Sequence, residues 1–490
     1  MLWAVILIPV IAGLLAAISP WRTARRWLLI PGSIGHLAAV IGLWIDRPQP
    51  GQWIGVDELG LLFLTITSVL FAGVAVYAVG YLGRESGHVT RDVQEGFLFR
   101  NEPDAIFVAC MLLFLAAMSL VCVSQHLGLL WVAVETTTLV SAPLIYYHRH
   151  HRSLEAAWKY LLICSVGIAL ALLGNFFLAY AARGQVVHLN VADLAAHAAS
   201  LDPIWLKAAF VLFLVGYGTK MGLAPMHTWL PDAHSEAPSM VSALLSGSLL
   251  NCAFLGLLRG HAVLGAAGLG SFSGELLVLF GLISMGLAAV FLIRQGEFKR
   301  MLAYSSVEHM GILALGVGLG GLASTGALLH AVNHSLTKGL LFLAAGNLLA
   351  TYGTKIAVEI RGALGVSPLT GCLWVAGFLA ITGSPPFGLF VSELTILRGA
   401  METGRWGVAV GYLLALGVIF IAMARIVLPM AFGLRGPSDG SVAPLPPARE
   451  PAWSVIPAVA MGVVVLVLGL YVPTEVWDFM RSAAFSIGGR

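Results

Sequence analysis

Charge is what this sequence has least of. Only 10% of its 490 residues are Asp, Glu, Lys or Arg, and 59% are hydrophobic, against roughly 25% charged in a soluble domain. With a mean hydropathy of +0.90, that shortage excludes a water-soluble fold and points to a polytopic membrane protein. Cysteine is scarce as well. Cys110, Cys122, Cys164, Cys252 and Cys372 stand singly in apolar segments, so no Cys-x-x-Cys pair exists to hold an iron–sulfur cluster or a nickel ion. The chain is therefore expected to carry no cofactor, and any redox chemistry coupled to it belongs to partner subunits. The net charge of +3 reflects topology and gives no footing for nucleic acid. A soluble domain is missing too, because the longest loops are those near 82–104, 181–204 and 433–453. The first carries both signs of charge and is expected at the cytoplasmic surface; the last, rich in Pro and Gly, reads as a connector to a final helix.

What the sequence does have is long apolar segments. At about 20 residues per span, the segments near 3–19, 27–45, 59–81, 105–123, 127–147, 159–180, 205–224, 238–258, 275–293, 302–320, 323–349, 370–397, 408–432 and 454–472 give an all-α polytopic membrane protein of about 14 transmembrane helices. When loops alternate between two sides, fifteen Lys and Arg fall on one side and eight on the other, with the termini. The richer set, beginning with Arg22, Arg25 and Arg26, is expected in the cytoplasm, which puts both termini in the periplasm of an inner (plasma) membrane protein. The first segment lacks a basic n-region and is followed by WRTARR, so it reads as a retained helix.

Four basic residues, Lys159, Lys220, Lys338 and Arg425, lie inside or at the edge of apolar segments. A charge at the bilayer centre costs about 2.5–3.5 kcal/mol on insertion scales, so it faces protein or water and usually marks an ion path. Glu135, in HLGLLWVAVETTTLVSAPLI, stands nine residues from His126, at mid-membrane depth for a helix. Lys220 stands five residues before Pro225 in GYGTKMGLAPMHTWLPDAHSEAPS. In LLHAVNHSLTKGLLFLAAG, His330, His334 and Lys338 recur at i, i+4 and i+8 and form one polar stripe on a helix. Glu393 follows Pro385 and Pro386 by about two helical turns.

Buried acids, lysines and histidines exchange protons, because low dielectric lowers the pKa of a lysine and raises that of a glutamate. The expected relay is Glu135, Lys220, His334, Lys338 and Glu393, with Glu135 and Lys220 acting as an ion pair that opens and closes. The spacing of His330 and His334 would suit zinc, but no further ligand stands beside them in the sequence and Lys338 follows one turn later, so no metal is expected. Lys159 either joins the relay or snorkels to the interface. His227, Asp232 and His234 either line the mouth of a half-channel or cap a broken helix. His309, beside Glu308, is a further relay group or a packing histidine. HRHHR at 148–152 reads as a surface anchor, and Arg425 receives no role.

Two apolar segments are interrupted, GTKMGLAPMHTWLP at 218–231 and ITGSPPFGLFVSEL at 381–394. Proline removes a backbone donor and clashes with the preceding turn, so both should break. Broken helices at matching places in two halves are the pattern of a transporter built from repeats.

The runs KMGLAPMHTWLPDAHSEAPSMVSALLSGSLL, GEFKRMLAYSSVEHMG and HSLTKGLLFLAAGN resemble the proton-conducting, antiporter-like membrane subunits shared by respiratory complex I, Mrp cation/proton antiporters and membrane-bound group 4 hydrogenases. PDAHSEAPS followed by VSALLSG is most similar to the hydrogenase-4 component F branch. The resemblance covers residues 60–430, in round numbers. It implies two inverted five-helix repeats, each with a broken helix: N-terminal helices in 1–104, repeats in 105–260 and 261–432, and a linker with the last helix in 433–490. It also implies relay roles for Glu135, Lys220, Lys338 and Glu393, on the fifth, seventh, eleventh and twelfth helices. The implied function is proton translocation coupled to electron transfer in a hydrogenase or complex I-like assembly, whose other membrane subunits and peripheral redox arm are the partners; the alternative is an Mrp-type Na+/H+ antiporter subunit. One departure stands out. The eighth helix offers Ser246, Ser248 and Asn251 where relatives carry a lysine or histidine, so its link must use water or a residue from another helix.

Overall fold

The computed structural model describes residues 1–49, 51–85, 89–91, 98–184, 188–433 and 448–488. Residues 434–447 of the expected connector, residues 86–88 and 92–97 of the charged loop near 82–104, and Arg435 and Arg490 of the charge count lie outside those residues.

The chain begins with α1 (Ala4–Ile18), α2 (Arg22–Trp27), α3 (Leu29–Ile45) and α4 (Glu58–Glu85), followed by a short antiparallel ribbon, β1 (Val89–Arg91) with β2 (Leu98–Arg100), in which Val89 faces Arg100. Then come α5 (Asp104–Val123), α6 (Leu127–Ile145), α7 (His151–Ala181), α8 (Val191–Ala196), α9 (Pro203–Met221), α10 (Trp229–Glu236), α11 (Ser239–Leu244) and α12 (Leu250–Ala266). The second half holds α13 (Gly270–Leu292), α14 (Phe298–Leu319), α15 (Gly321–Tyr352), α16 (Ala363–Val366), α17 (Pro368–Ile381), α18 (Gly388–Glu402), α19 (Trp406–Phe432), α20 (Ala452–Leu470) and α21 (Thr474–Ser486). Among the described residues, eleven helical stretches are long and apolar enough to cross a membrane. The other three expected spans are present as the 15-residue α1, the 32-residue α15 with the polar stripe, and the α17 and α18 pair on either side of Pro385 and Pro386.

Local chemistry sets the ends of these helices. Asp202 accepts from the Ile204 amide at 3.0 Å with Pro203 at the first position of α9, which supplies one orphan donor with an acceptor and places proline where no amide is needed. Asp57 does the same for α4, accepting from Gly60 at 3.0 Å, and forms a forked bridge with Arg259 near the end of α12. Burial opposes the Asp57 charge, and the Arg259 guanidinium outweighs it and holds the carboxyl below its ordinary value.

Burial ranks the spans from centre to rim. The stretch Ser239–Ala266 is 100% buried over its most apolar window and Phe298–Leu319 is 89% buried, whereas Trp406–Phe432 and Ala452–Leu470 are only 28% and 33% buried. The polar stripe of α15 and the serines of α11 to α12 therefore face protein. The rim presents Leu162, Val166, Phe176, Leu414, Ile421 and Val463 outward, as the apolar surface of a membrane protein requires.

Small residues let the central backbones approach. Gly274 and Gly281 of α13 face Gly318 and Gly311 of α14, and a Cβ at Gly281 would lie 2.7 Å from the Gly311 carbonyl oxygen. Close glycine-lined crossings of this kind hold helices together in lipid, where apolar burial between helices supplies no drive. Gly281→Val is expected to force α13 and α14 apart at a cost of about 1–3 kcal/mol. Thermal unfolding of the detergent-solubilised protein should show a lower midpoint, while Gly286→Val, with open space at its Cβ, should leave it in place.

Candidate functional site

The first break falls where the sequence expects it. Helix α9 stops at Gly222, whose φ of 84° is left-handed, and the Leu223 amide reaches back to Gly218 O at 2.8 Å. This is the glycine stop that closes helices without a Cβ clash. Ala224 and Pro225 follow with a cis bond, and the groups freed by the break find side-chain partners. Trp229 Nε1 donates to Thr219 O at 2.8 Å, and Ser284 Oγ accepts from the Ala224 amide at 3.0 Å.

Lys220 sits in the last turn of α9, fully buried, where the partial negative end of the helix favours a cation. Its Nζ donates to Thr138 Oγ1 at 2.5 Å and to Tyr160 OH at 2.8 Å, and lies 4.7 Å from the Tyr160 ring centroid. The Tyr160 hydroxyl also meets Ser141 Oγ at 2.7 Å. The expected pair of Glu135 and Lys220, which opens and closes, is bridged here by a hydroxyl. Glu135 accepts from Ser165 Oγ at 2.7 Å and from Thr138 Oγ1 at 3.4 Å, so the Thr138 hydroxyl stands between carboxylate and ammonium. Thr138 is three residues on from Glu135 and shares its helix face, which is why it intervenes.

Lys159 takes the surface alternative. Its side chain is 45% exposed and pairs with Glu155 at 2.6 Å and Asp232 at 3.1 Å, and Asp232 also binds Arg300 at 2.8 Å. His227 lies beside the break against the rings of Phe291 and Tyr304, with centroids 6.1 and 6.2 Å away. His234 is buried with no hydrogen-bond partner on either ring nitrogen and stacks on Phe342, centroids 5.0 Å apart. Beside it, at the arginine-rich face, Glu236 binds Lys355 at 2.9 Å and lies 3.5 Å from His150. Burial pushes the Glu236 carboxyl up, and the Lys355 ammonium, aided by Lys299 and His150, overrides it and holds the group below the ordinary carboxylate range.

The second break gathers more. Lys338, fully buried, donates to Leu302 O at 2.6 Å and to Ser305 Oγ. His309 Nδ1 meets His330 Nε2 at 2.9 Å, and His330 Nδ1 meets Ser392 Oγ at 3.0 Å. The His334 ring lies 5.0 Å from that of His309 and has no partner on either nitrogen. Glu393 nestles against the break, where Gly383 has φ 61° and a Cβ would lie 1.8 Å from Glu393 Oε2. His309 is therefore a member of the cluster.

Between the two lies the eighth span, whose middle is a π-helical turn, Leu245–Leu249, of the kind frequent at functional sites. Asn251 Nδ2 donates to Ser335 Oγ at 2.9 Å, one residue from His334, and Ser246 meets Ser306 at 2.8 Å. Sequence reasoning missed Thr138, Tyr160, Ser392 and the π turn; hydroxyls at helical spacing from a buried charge were the available signal. It also missed that α5 and α12 bring Cys252 Sγ to the Met118 carbonyl, 3.9 Å away.

The family described as NADH:quinone oxidoreductase/Mrp antiporter, TM, matches residues 124–419. A hydrogenase-4 component F homolog of Methylacidiphilum infernorum is 35% identical over 98% of each chain. NADH-quinone oxidoreductase subunit N of Desulforudis audaxviator is 34% identical over 86% of this chain and 83% of its own. Among solved structures, a chain of the Mrp complex from Dietzia sp. superposes with a TM-score of 0.85 at 23% identity, covering 99% of this chain and 96% of that one.

The contact of Gly383 with Glu393 can be measured directly. Gly383→Ala is expected to cost about 1–3 kcal/mol through the left-handed backbone and the clash. Adding Glu393→Ala removes the clash but not the backbone strain, so thermal unfolding of the double variant should show a non-additive, partial recovery.

Proposed function

The chain belongs to the NADH:quinone oxidoreductase/Mrp antiporter family, and on that premise we propose that it is the proton-translocating membrane subunit of a hydrogenase-4 or NADH:quinone oxidoreductase-like complex. Protons move through its buried Glu, Lys and His groups, and electron transfer in partner subunits drives them. The richer Lys and Arg face is cytoplasmic and the termini periplasmic, in the inner (plasma) membrane. The chain divides into helices of 1–104, repeats of 105–260 and 261–432, each with one broken helix beside a buried ionisable group, and the closing 433–490.

One observation carries this reading. The central helices hold many buried polar atoms with no protein partner: both nitrogens of His234, Ser248 Oγ, Asn251 Oδ1, Asn333 Oδ1, both nitrogens of His334, His309 Nε2 and Glu393 Oε1. In a folded protein such atoms are rare and costly, and a set of them is what a file of transferable protons needs. On our reading the path runs from Glu135 through the Thr138 hydroxyl to Lys220. It then crosses the eighth span along Ser248 and the Asn251 to Ser335 bond, with His234 the titratable group that the span itself lacks. It continues by Lys338 and His334 to the His309 and His330 pair and ends at Glu393. The lysines act as the loaded sites. Each is anchored on hydroxyls, which can hand on a proton only when the ammonium yields one.

A second reading, sodium exchange of the Mrp type, is favoured by the fold likeness to the Mrp complex chain. Sodium seeks clusters of carboxylate and carbonyl oxygen, and the buried series is rich in lysine and imidazole instead.

Proton uptake by proteoliposomes holding the whole purified complex tests both readings, with electron transfer followed in the same samples. Lys220→Ala is expected to lower uptake about tenfold or more, because one positioned acid–base group contributes 10²–10⁴-fold. Full uptake at normal turnover would remove Lys220 from the path, and uptake that needs sodium but no electron donor would replace the first reading by the second.

A further inference from the structure

We propose that His309, His330 and Glu393 form a binding site for a divalent transition-metal ion of the zinc type, and that an ion held there closes the second repeat to protons. The binding is independent of the proton-relay reading; the closure rests on it.

The three residues come from α14, α15 and α18, and each brings one ligand atom to within 4.8 Å of the others, all of them buried. This is the ligand set that His330 and His334 lacked in the sequence. Its two extra members arrive from other helices. Glu393 Oε1 has no hydrogen-bond partner, and His309 meets His330 only through Nδ1, at 2.9 Å. The third is oriented. Ser392 Oγ holds His330 Nδ1 at 3.0 Å, which turns Nε2 toward His309, and a ring fixed through its outer nitrogen is the usual arrangement of a ligating histidine.

The donor set selects the ion. Two imidazoles and a carboxylate suit Zn²⁺ and leave a fourth position for water, while a hard cation such as sodium gains little from imidazole. The ion would replace the bond between His309 and His330, each ring offering a lone pair in place of a shared proton. The Glu393 carboxylate offers a negative charge to the metal ion. Lys338, the cation that would oppose it, is anchored on Leu302 O and Ser305 Oγ, one turn before His309. Access exists from the side, where Glu393 lines a cavity of about 370 Å³ with Thr382, Gly383, Ser384 and Tyr412, between the second break and α19. Once bound, the metal takes the lone pairs that pass protons toward Glu393.

The test is the zinc content of the purified complex after loading with zinc chloride and desalting, comparing wild type with His309→Gln and Glu393→Gln. Each variant is first checked for co-purification with its partner subunits. Wild type is expected to retain one zinc more per copy of this chain than either variant. X-ray absorption of the difference should show nitrogen and oxygen ligands without sulfur. Equal zinc in all three proteins overturns the site. Ser392→Ala keeps the three ligands and frees the His330 ring, so zinc should bind about 10–100-fold more weakly; unchanged affinity overturns the orienting role of Ser392. Proton uptake is followed in parallel, and zinc should suppress it in wild type. Zinc bound at the site with uptake unaffected overturns the closure. A His309→Gln variant that has lost its zinc yet pumps normally supports the metal site and removes His309 from the relay, so the two readings fail separately.

Discussion

A hydrocarbon layer offers no hydrogen-bond partners, so every polar group placed at its centre must be satisfied by the protein or by water the protein encloses. The two broken helices depend on this constraint most. Breaking α9 frees carbonyls and amides at mid-depth, and the structure answers with Trp229 on Thr219 O, Ser284 on the Ala224 amide and the backward turn at Gly222. Those groups satisfied, the break creates a helix end inside the membrane whose partial negative charge faces Lys220. The lysine is thus paired first with a dipole and with hydroxyls, and only at one remove with a carboxylate. A direct ion pair would hold its proton tightly. The Thr138 hydroxyl keeps the two charges from meeting directly.

Burial and polarity rise together toward the centre, which reverses the ordinary rule for soluble proteins. The wholly enclosed eighth span carries Ser246, Ser248 and Asn251, and α14 and α15 carry the histidines and Lys338, while the rim helices α19 and α20 present apolar side chains outward. Enclosure makes such residues tolerable, because each partner they find is worth more in low dielectric and each they lack costs more. The glycine crossing of α13 and α14 contributes by bringing backbones close enough to shut lipid out. The second break then gathers His309, His330, His334 and Glu393 from three helices into one cluster, with Gly383 leaving room for the carboxyl.

Much of the fold was legible in the chain because membrane spans are specified by length and hydropathy alone, and the fourteen segments, both breaks and the buried charges follow from that. The site was legible as a set of residues and not as a set of contacts. Lys159 lies at a helix edge in the sequence, and only the fold shows it tied to Asp232 rather than to the core. His309 reads as either a relay or a packing residue until α15 sets His330 2.9 Å from it. Met118 and Cys252 stand 134 residues apart in the sequence and meet only because α5 packs on α12.

What the sequence determined by itself is therefore everything that one helix can express: span length, the i, i+4, i+8 stripe of His330, His334 and Lys338, and the places where proline forbids a continuous backbone. These follow from covalent geometry and from the cost of moving each side chain out of water, and both are local. Tertiary structure decided which polar groups are hydrogen-bonded, which hydroxyl stands between Glu135 and Lys220, and which distant residues complete the cluster at Glu393. Those outcomes depend on how close two helices can approach and at what rotation. Packing of side chains from several helices sets that, and no single segment contains it.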